Sequence, residues 1–225
     1  MNETIANNRN KINAACQLCF YTLDKYFKAA EAFHEEQHKI LASLYIEAEK
    51  ERMVNRATEA LCNTVNGYYA EIESNLSEIR GAASEMECVF DVGEDLQNAL
   101  SVTKMLGADM PNETCFKLVE QFTGQRHALT ILKAAYEAAG IPTEHYFEGL
   151  IFDASSALDR LNGMAYRITV DPGENLMEAV SLGSELEKFA VSLGVDLTKK
   201  FRDIVDTSSA LNRQLHAVMG LEMDD

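Results

Sequence analysis

The chain has 225 residues, with 36 aspartates and glutamates against 20 lysines and arginines, and its formal net charge is −16. This charge disfavours direct binding to nucleic-acid phosphates, which are themselves negative. No apolar run approaches the roughly 18 residues of a membrane span, and the N-terminus lacks the basic-then-apolar order of a signal peptide, so we predict a cytoplasmic protein without nucleic-acid or membrane contacts.

The first predicted element is a long helical arm, because residues 1–66 contain neither glycine nor proline. Apolar residues recur with a seven-residue spacing from Ile5 to Met86, which is typical of a left-handed coiled coil. An unbroken helix of this kind would reach roughly 120 Å. We therefore expect residues 1–90 to form a coiled-coil-like arm, as one long helix or as a helical hairpin.

The apolar stripe of this arm predicts an interaction seam. The stripe is wider than a two-stranded coiled coil requires, which favours a hairpin, a bundle or an arm clasped by other chains. We expect a protein partner, foremost a second copy of the chain in a homo-oligomer, and we expect a charge at Leu23, Phe27 or Ile40 to weaken assembly. The seam residues are Leu23, Phe27, Phe33, Ile40, Leu44, Leu61, Val65, Tyr68, Ile72 and Ile79.

The seam has one polar gap, at Glu47, Glu51 and Thr58. Buried carboxylates without partners would be costly, so the helix bends or ends there, or this part of it faces water. Residues 48–52, Ala-Glu-Lys-Glu-Arg, strongly favour a helix. We therefore expect the helix to continue through the gap.

Two motifs in the arm could carry chemistry. The sequence His34-Glu35-Glu36-Gln37-His38 matches the H-E-x-x-H pattern, in which two histidines bind zinc and the glutamate activates water. The charged Glu36 and Lys39 do not suit a dry peptidase site, so a solvated helix face is the preferred interpretation and a zinc metallopeptidase is the remote alternative.

Cys16 and Cys19 form a C-x-x-C pair without a second ligand pair, which predicts core packing. We predict no enzyme activity, no metal and no cofactor.

The second half of the chain, residues 91–225, predicts a compact bundle of shorter helices. Glycines at 107, 140 and 194 each follow a helical segment and precede an apolar residue, which is the pattern of a left-handed C-terminal cap. The predicted helices are Glu94–Leu106, Asn112–Phe122, Gln125–Ala139, Thr143–Ile168, Glu174–Leu193 and Leu197–Met219.

The segments Leu100–Met110 and Phe122–Leu129, behind a long helix without breakers, resemble small helical proteins encoded by tailed phages and prophages. The overall helical organisation is similar over the whole chain, but the matching residues lie only within residues 100–129. It implies a role in the virion or its assembly, as a scaffold-like or minor structural component in the host cytosol. It implies no catalytic residue.

These observations predict an all-α, non-enzymatic structural or interaction protein that acts through helix-mediated oligomerisation. The alternative is an acidic inhibitor or regulator that occupies a basic site on a host defence protein, because acidity suits a basic partner. The partner's identity and the number of copies in an oligomer stay open at this stage.

Overall fold

A computed structural model describes residues 3–88, 93–151 and 153–205, and these residues form helices and turns without a β-strand. The predicted all-α class is therefore confirmed. Gly107–Asp109 form one turn of 3-10 helix. The α-helices are α1 (Glu3–Ala42), α2 (Glu47–Cys88), α3 (Glu94–Leu106), α4 (Asn112–Glu120), α5 (Arg126–Ala138), α6 (Glu144–Phe147), α7 (Ala154–Val170), α8 (Leu176–Ser192) and α9 (Phe201–Val205).

The N-terminal arm is an antiparallel hairpin of α1 and α2, which confirms the hairpin form of the predicted arm. The predicted helix at residues 48–52 and through the polar gap is also confirmed within α2, but one unbroken helix over the whole arm is wrong, because the chain turns just before the gap. Residues 43–46 make the turn, in which the backbone N–H and the hydroxyl of Ser43 both donate to the Ile40 carbonyl, at 3.1 and 2.6 Å. A serine therefore ends α1 where the sequence offers no glycine or proline. Glu47, Glu51 and Thr58 follow the turn with exposed side chains, so the polar gap faces water.

The hairpin forms half of an antiparallel four-helix bundle. Helix α7 packs against α2, α8 packs against α7, and α8 also packs against α1, which closes the ring.

The predicted helix Thr143–Ile168 is wrong, because α6 ends at Phe147 and α7 begins at Ala154. Asp153 caps α7, and its carboxylate accepts from the Ser155 N–H at 3.1 Å. The fully buried core residues of this bundle include Ile12, Leu23, Phe27, Ile79, Leu158, Leu182 and Leu186.

Helices α3 to α6 lie between α2 and α7 in the sequence and have a hydrophobic core of their own. Its most buried members include Leu96, Cys115, Leu129, Leu132 and Tyr136. A division of the chain at residue 90 stays a prediction. The two hydrophobic clusters group the helices differently, because α7 and α8 share a core with the N-terminal hairpin.

Arg9 joins the α3–α6 unit to one end of the bundle. Its guanidinium donates to the Thr123 carbonyl at 2.5 Å and to the Leu193 carbonyl at 3.3 Å. The group is half-buried, and this burial lowers the pKa of Arg9. Gly124 has a φ of +82°, and a Cβ at this position would lie 2.5 Å from the Leu193 carbonyl oxygen. The junction therefore depends on a cation and on a glycine.

Gly140 and Gly194 have positive φ, and the residues after them bond back to Tyr136 and Ala190, as predicted for glycine caps. Gly107 also ends a helix with a positive φ of +54°, but its ψ of −140° is not that of a left-handed helical cap, so the predicted form of this cap is wrong. Of the last predicted helix, Leu197–Met219, the described residues form α9 (Phe201–Val205), and residues 206–219 lie outside the described part of the chain.

Candidate interaction surface

The predicted seam lies mainly inside the folded chain. Phe33 and Tyr68 are partly buried against the bundle core, whereas Leu44 is fully exposed. The packing of α1 against α2, and of α7 and α8 against that hairpin, accounts for most of the seven-residue apolar pattern without a second protein. The buried seam residues are Leu23, Phe27, Ile40, Leu61, Val65, Ile72 and Ile79.

An exposed apolar cluster lies at the turn of the hairpin, and we call it the hairpin tip. It consists of Leu41, Leu44, Tyr45 and Ile46; Leu44 is fully exposed, and Ile46 is 75% exposed. Large apolar side chains that cluster on a surface mark sites of protein–protein contact more often than scattered ones do. The hairpin tip is therefore the strongest candidate surface in the described residues of the arm.

The hairpin tip projects beyond the four-helix bundle. The turn between α7 and α8 packs beside α1 at Tyr26, whose hydroxyl donates to the Pro172 carbonyl at 2.8 Å, and at His34, whose Nε2–H donates to the Gly173 carbonyl at 2.9 Å. Helix α1 continues to Ala42 beyond this level. At 1.5 Å per residue, the hairpin extends about 12 Å past the bundle.

Acidic side chains border the hairpin tip. Glu47 and Glu51 are exposed in the first turns of α2, where carboxylates also favour the positive end of the helix. Glu47 pairs with Lys50 at 3.2 Å, but such a surface pair contributes little to stability. The tip therefore combines an apolar centre with a partly acidic rim, which suits a partner with an apolar pocket and a basic edge.

The two histidines of the H-E-x-x-H motif lie in different surroundings. His34 is half-buried and bonds to Gly173, so it does not lie on a solvated face as predicted, whereas His38 and Glu35 are exposed. Across residues 3–88, 93–151 and 153–205, no three His, Cys, Asp or Glu side chains are grouped as metal ligands. The observed role of His34 is to hold the α7–α8 turn against the hairpin.

The C-x-x-C pair lies in the bundle core, which confirms the core-packing interpretation. Cys16 and Cys19 are free and buried. Burial raises the pKa of the Cys16 thiol to about 12, and burial with the nearby Cys16 and Glu78 raises the pKa of Cys19 as well. Thiols of this kind are poor nucleophiles at neutral pH.

Sequence reasoning found only Leu44 of the hairpin tip, and it found this residue as part of the seam. Leu41, Tyr45 and Ile46 were missed. The available signal was the run Leu44-Tyr45-Ile46 beside the polar gap, where three consecutive apolar residues fit neither face of a helix.

Comparisons with known proteins identify no relative: no family model, curated protein or solved structure matches this chain. In the described ranges, none of the helices combines the length and the apolar character needed to cross a membrane. The function therefore has to be inferred from the geometry of the chain itself.

Proposed function

We propose that this protein is a non-enzymatic structural or assembly component that binds protein partners through the hairpin tip. The observation that carries the proposal is the fully exposed Leu44 among Leu41, Tyr45 and Ile46, about 12 Å beyond the bundle. Apolar and aromatic side chains of this kind are typical anchors at the centre of protein interfaces.

The packing of α1 just before the hairpin tip supports this role. The bonds from Tyr26 and His34 to the α7–α8 turn fix the bundle against α1 two to four helical turns before the tip. A surface that is already ordered loses less conformational entropy when it binds, so more of its apolar contact area contributes to affinity. The hairpin thus presents its tip on a stiff support.

The biological setting that we propose is the assembly of a phage or prophage virion in the host cytosol. The support for it is the resemblance of Leu100–Met110 and Phe122–Leu129 to small helical proteins of tailed phages. That class acts through protein contacts and needs no catalytic residue, metal or cofactor.

Photo-crosslinking in cells tests whether the tip binds protein. With p-benzoylphenylalanine in place of Tyr45, in cells that carry the gene with its natural neighbours, we expect covalent adducts with a protein partner after irradiation. The matched control is the same replacement at Tyr166 on α7, because the two tyrosines are 56% and 57% exposed. Gel shifts and mass spectrometry would identify the adducts.

The same experiment can contradict the proposal. Adducts that are equally abundant from positions 45 and 166, or absent from both, would show that the tip is not a binding surface. Adducts only with a basic host protein, lost when salt is raised, would instead favour the acidic inhibitor, because salt screens charge contacts between exposed groups.

A further inference from the structure

A second apolar surface lies in a groove between α8 and α9. The groove is open to solvent, has a volume of about 450 Å³, and its apolar lining is Val180, Val191, Phe201 and Val205. An open groove of this size can take up one or two large apolar side chains of a partner rather than enclose a whole ligand. The chain therefore carries both an exposed apolar projection and an apolar groove.

The floor of this groove is firmly held. The Phe201 ring packs against Gly183 of α8, where a Cβ would collide with the ring, and it also contacts Phe20 at 5.4 Å between ring centres. The Phe201 N–H donates to the Glu187 carboxylate at 2.9 Å, which fixes the start of α9. The groove is therefore formed before any partner binds.

The charges around the groove complement those around the hairpin tip. Lys188 and Arg202 line the groove with exposed side chains, but the Glu187 carboxylate lines it too, and Lys188 pairs with Glu185 at 2.7 Å. Lys199 and Lys200 are exposed directly before α9. The stretch Lys199–Arg202 places three cations within four residues of a chain whose net charge is −16. At the tip, Glu51 is exposed and Glu47 pairs with Lys50 at its surface, so these carboxylates would meet the cations at Lys199, Lys200 and Arg202 around the apolar contact.

The tip of one molecule cannot reach its own groove. From the α7–α8 turn, the hairpin tip lies about 12 Å in one direction along the bundle, and Val191 lies about 22 Å in the other, at 1.5 Å per helical residue. The bonds from Tyr26 and His34 hold both elements in this arrangement. Contact between tip and groove therefore requires two molecules.

We propose that the hairpin tip of one copy inserts into the α8–α9 groove of a second copy. This inference rests on the proposed assembly function and names the partner as the chain itself. The two surfaces differ, so each added copy leaves one free tip and one free groove, and the contact builds a head-to-tail chain or a closed ring.

Mixing two complementary variants tests this contact. The tip variant Leu44→Glu/Ile46→Glu keeps an intact groove, and the groove variant Val191→Glu keeps an intact tip. By sedimentation velocity we expect the wild-type mass to rise with concentration and each variant alone to stay monomeric. An equimolar mixture should form a dimer and stop there, because its remaining tip and groove are both blocked.

Matched controls separate this contact from a general effect of charge. Val170→Glu on α7 is the control for Val191→Glu, since the two valines are 68% and 58% exposed, and it should assemble as the wild type does. Lys188→Glu is a second groove variant that leaves the apolar lining unchanged. It should weaken self-association at least about tenfold at low salt, and circular dichroism should show that all variants are folded.

Three results would overturn the proposal: a wild-type monomer at every concentration, a groove variant that assembles as well as the wild type, or a mixture without dimer. The second would indicate contact between two tips or through another surface. Failure here differs from failure of the proposed function: if Tyr45 still yields adducts with another protein in cells, the tip binds a partner, but that partner is not a second copy.

Discussion

Phe27→Glu should unfold the protein rather than dissociate an assembly of folded chains. Phe27 is 1% exposed and packs between the rings of Tyr26 and Phe201, with centres 5.8 and 6.5 Å away. Loss of a buried phenylalanine costs about 3–5 kcal/mol, and a buried carboxylate without a partner adds to this. The total is comparable with the free energy of unfolding of a whole domain, about 5–15 kcal/mol.

Urea unfolding followed by circular dichroism measures this effect. Leu18→Glu on the same helix is the control, because Leu18 is exposed and its substitution should change the free energy of unfolding by about 0.5 kcal/mol or less. A folded Phe27→Glu variant with unchanged unfolding and a lower assembly mass would contradict the intramolecular packing of the seam. It would restore the original expectation that Phe27 faces a partner.

Gly124→Ala should weaken the junction between the α3–α6 unit and the four-helix bundle. An alanine at a φ of +82° is strained by about 1 kcal/mol, and its Cβ would lie 2.5 Å from the Leu193 carbonyl and 2.8 Å from the Met86 side chain. Overpacking of this kind adds about 1–3 kcal/mol. We expect a total loss of about 3 kcal/mol in the free energy of unfolding.

Gly149→Ala isolates the steric part of this loss. Gly149 also has a positive φ, of +71°, but nothing lies within 4 Å of the position of its Cβ. This control should lose only the backbone term of about 1 kcal/mol. Equal losses in the two variants, measured by urea unfolding, would show that the close approach of Gly124 to Leu193 does not hold the junction.

The sequence was informative about local structure. Seven-residue periodicity identified the helical arm. Gly107, Gly140 and Gly194 marked helix ends, because a positive φ at a helix end favours glycine over other residues. The turn after Ala42 left no such trace. Ser43 closes that turn through its hydroxyl, and serine is also common inside helices, so Ser43 by itself does not mark the break.

The sequence does not predict which helices pack on the apolar seam of the hairpin, because those helices are distant in the chain. Leu23 and Phe27 belong to the same core as Leu158 and Leu186, more than 100 residues later. A periodic pattern shows that an apolar face is covered, but not by which element. For the same reason the sequence leaves a hairpin, a bundle and a seam between chains all open, and it does not single out three of the four residues of the hairpin tip.

The N-terminal hairpin has two kinds of apolar surface, the seam and the hairpin tip. Most of the seam holds the bundle together, whereas the hairpin tip remains exposed after the chain has folded. We propose that this exposed tip, and not the seam, is the surface through which the protein joins an assembly.

The most direct test of this claim is incorporation into assembled particles. In cells that carry the gene with its natural neighbours, the fraction of protein in fast-sedimenting particles should fall at least about tenfold for Leu44→Glu/Ile46→Glu, since two interface anchors are lost. Leu18→Glu/Met105→Glu, which changes two other exposed apolar residues, should sediment as the wild type does. Equal incorporation of the tip variant and the wild type would contradict the claim.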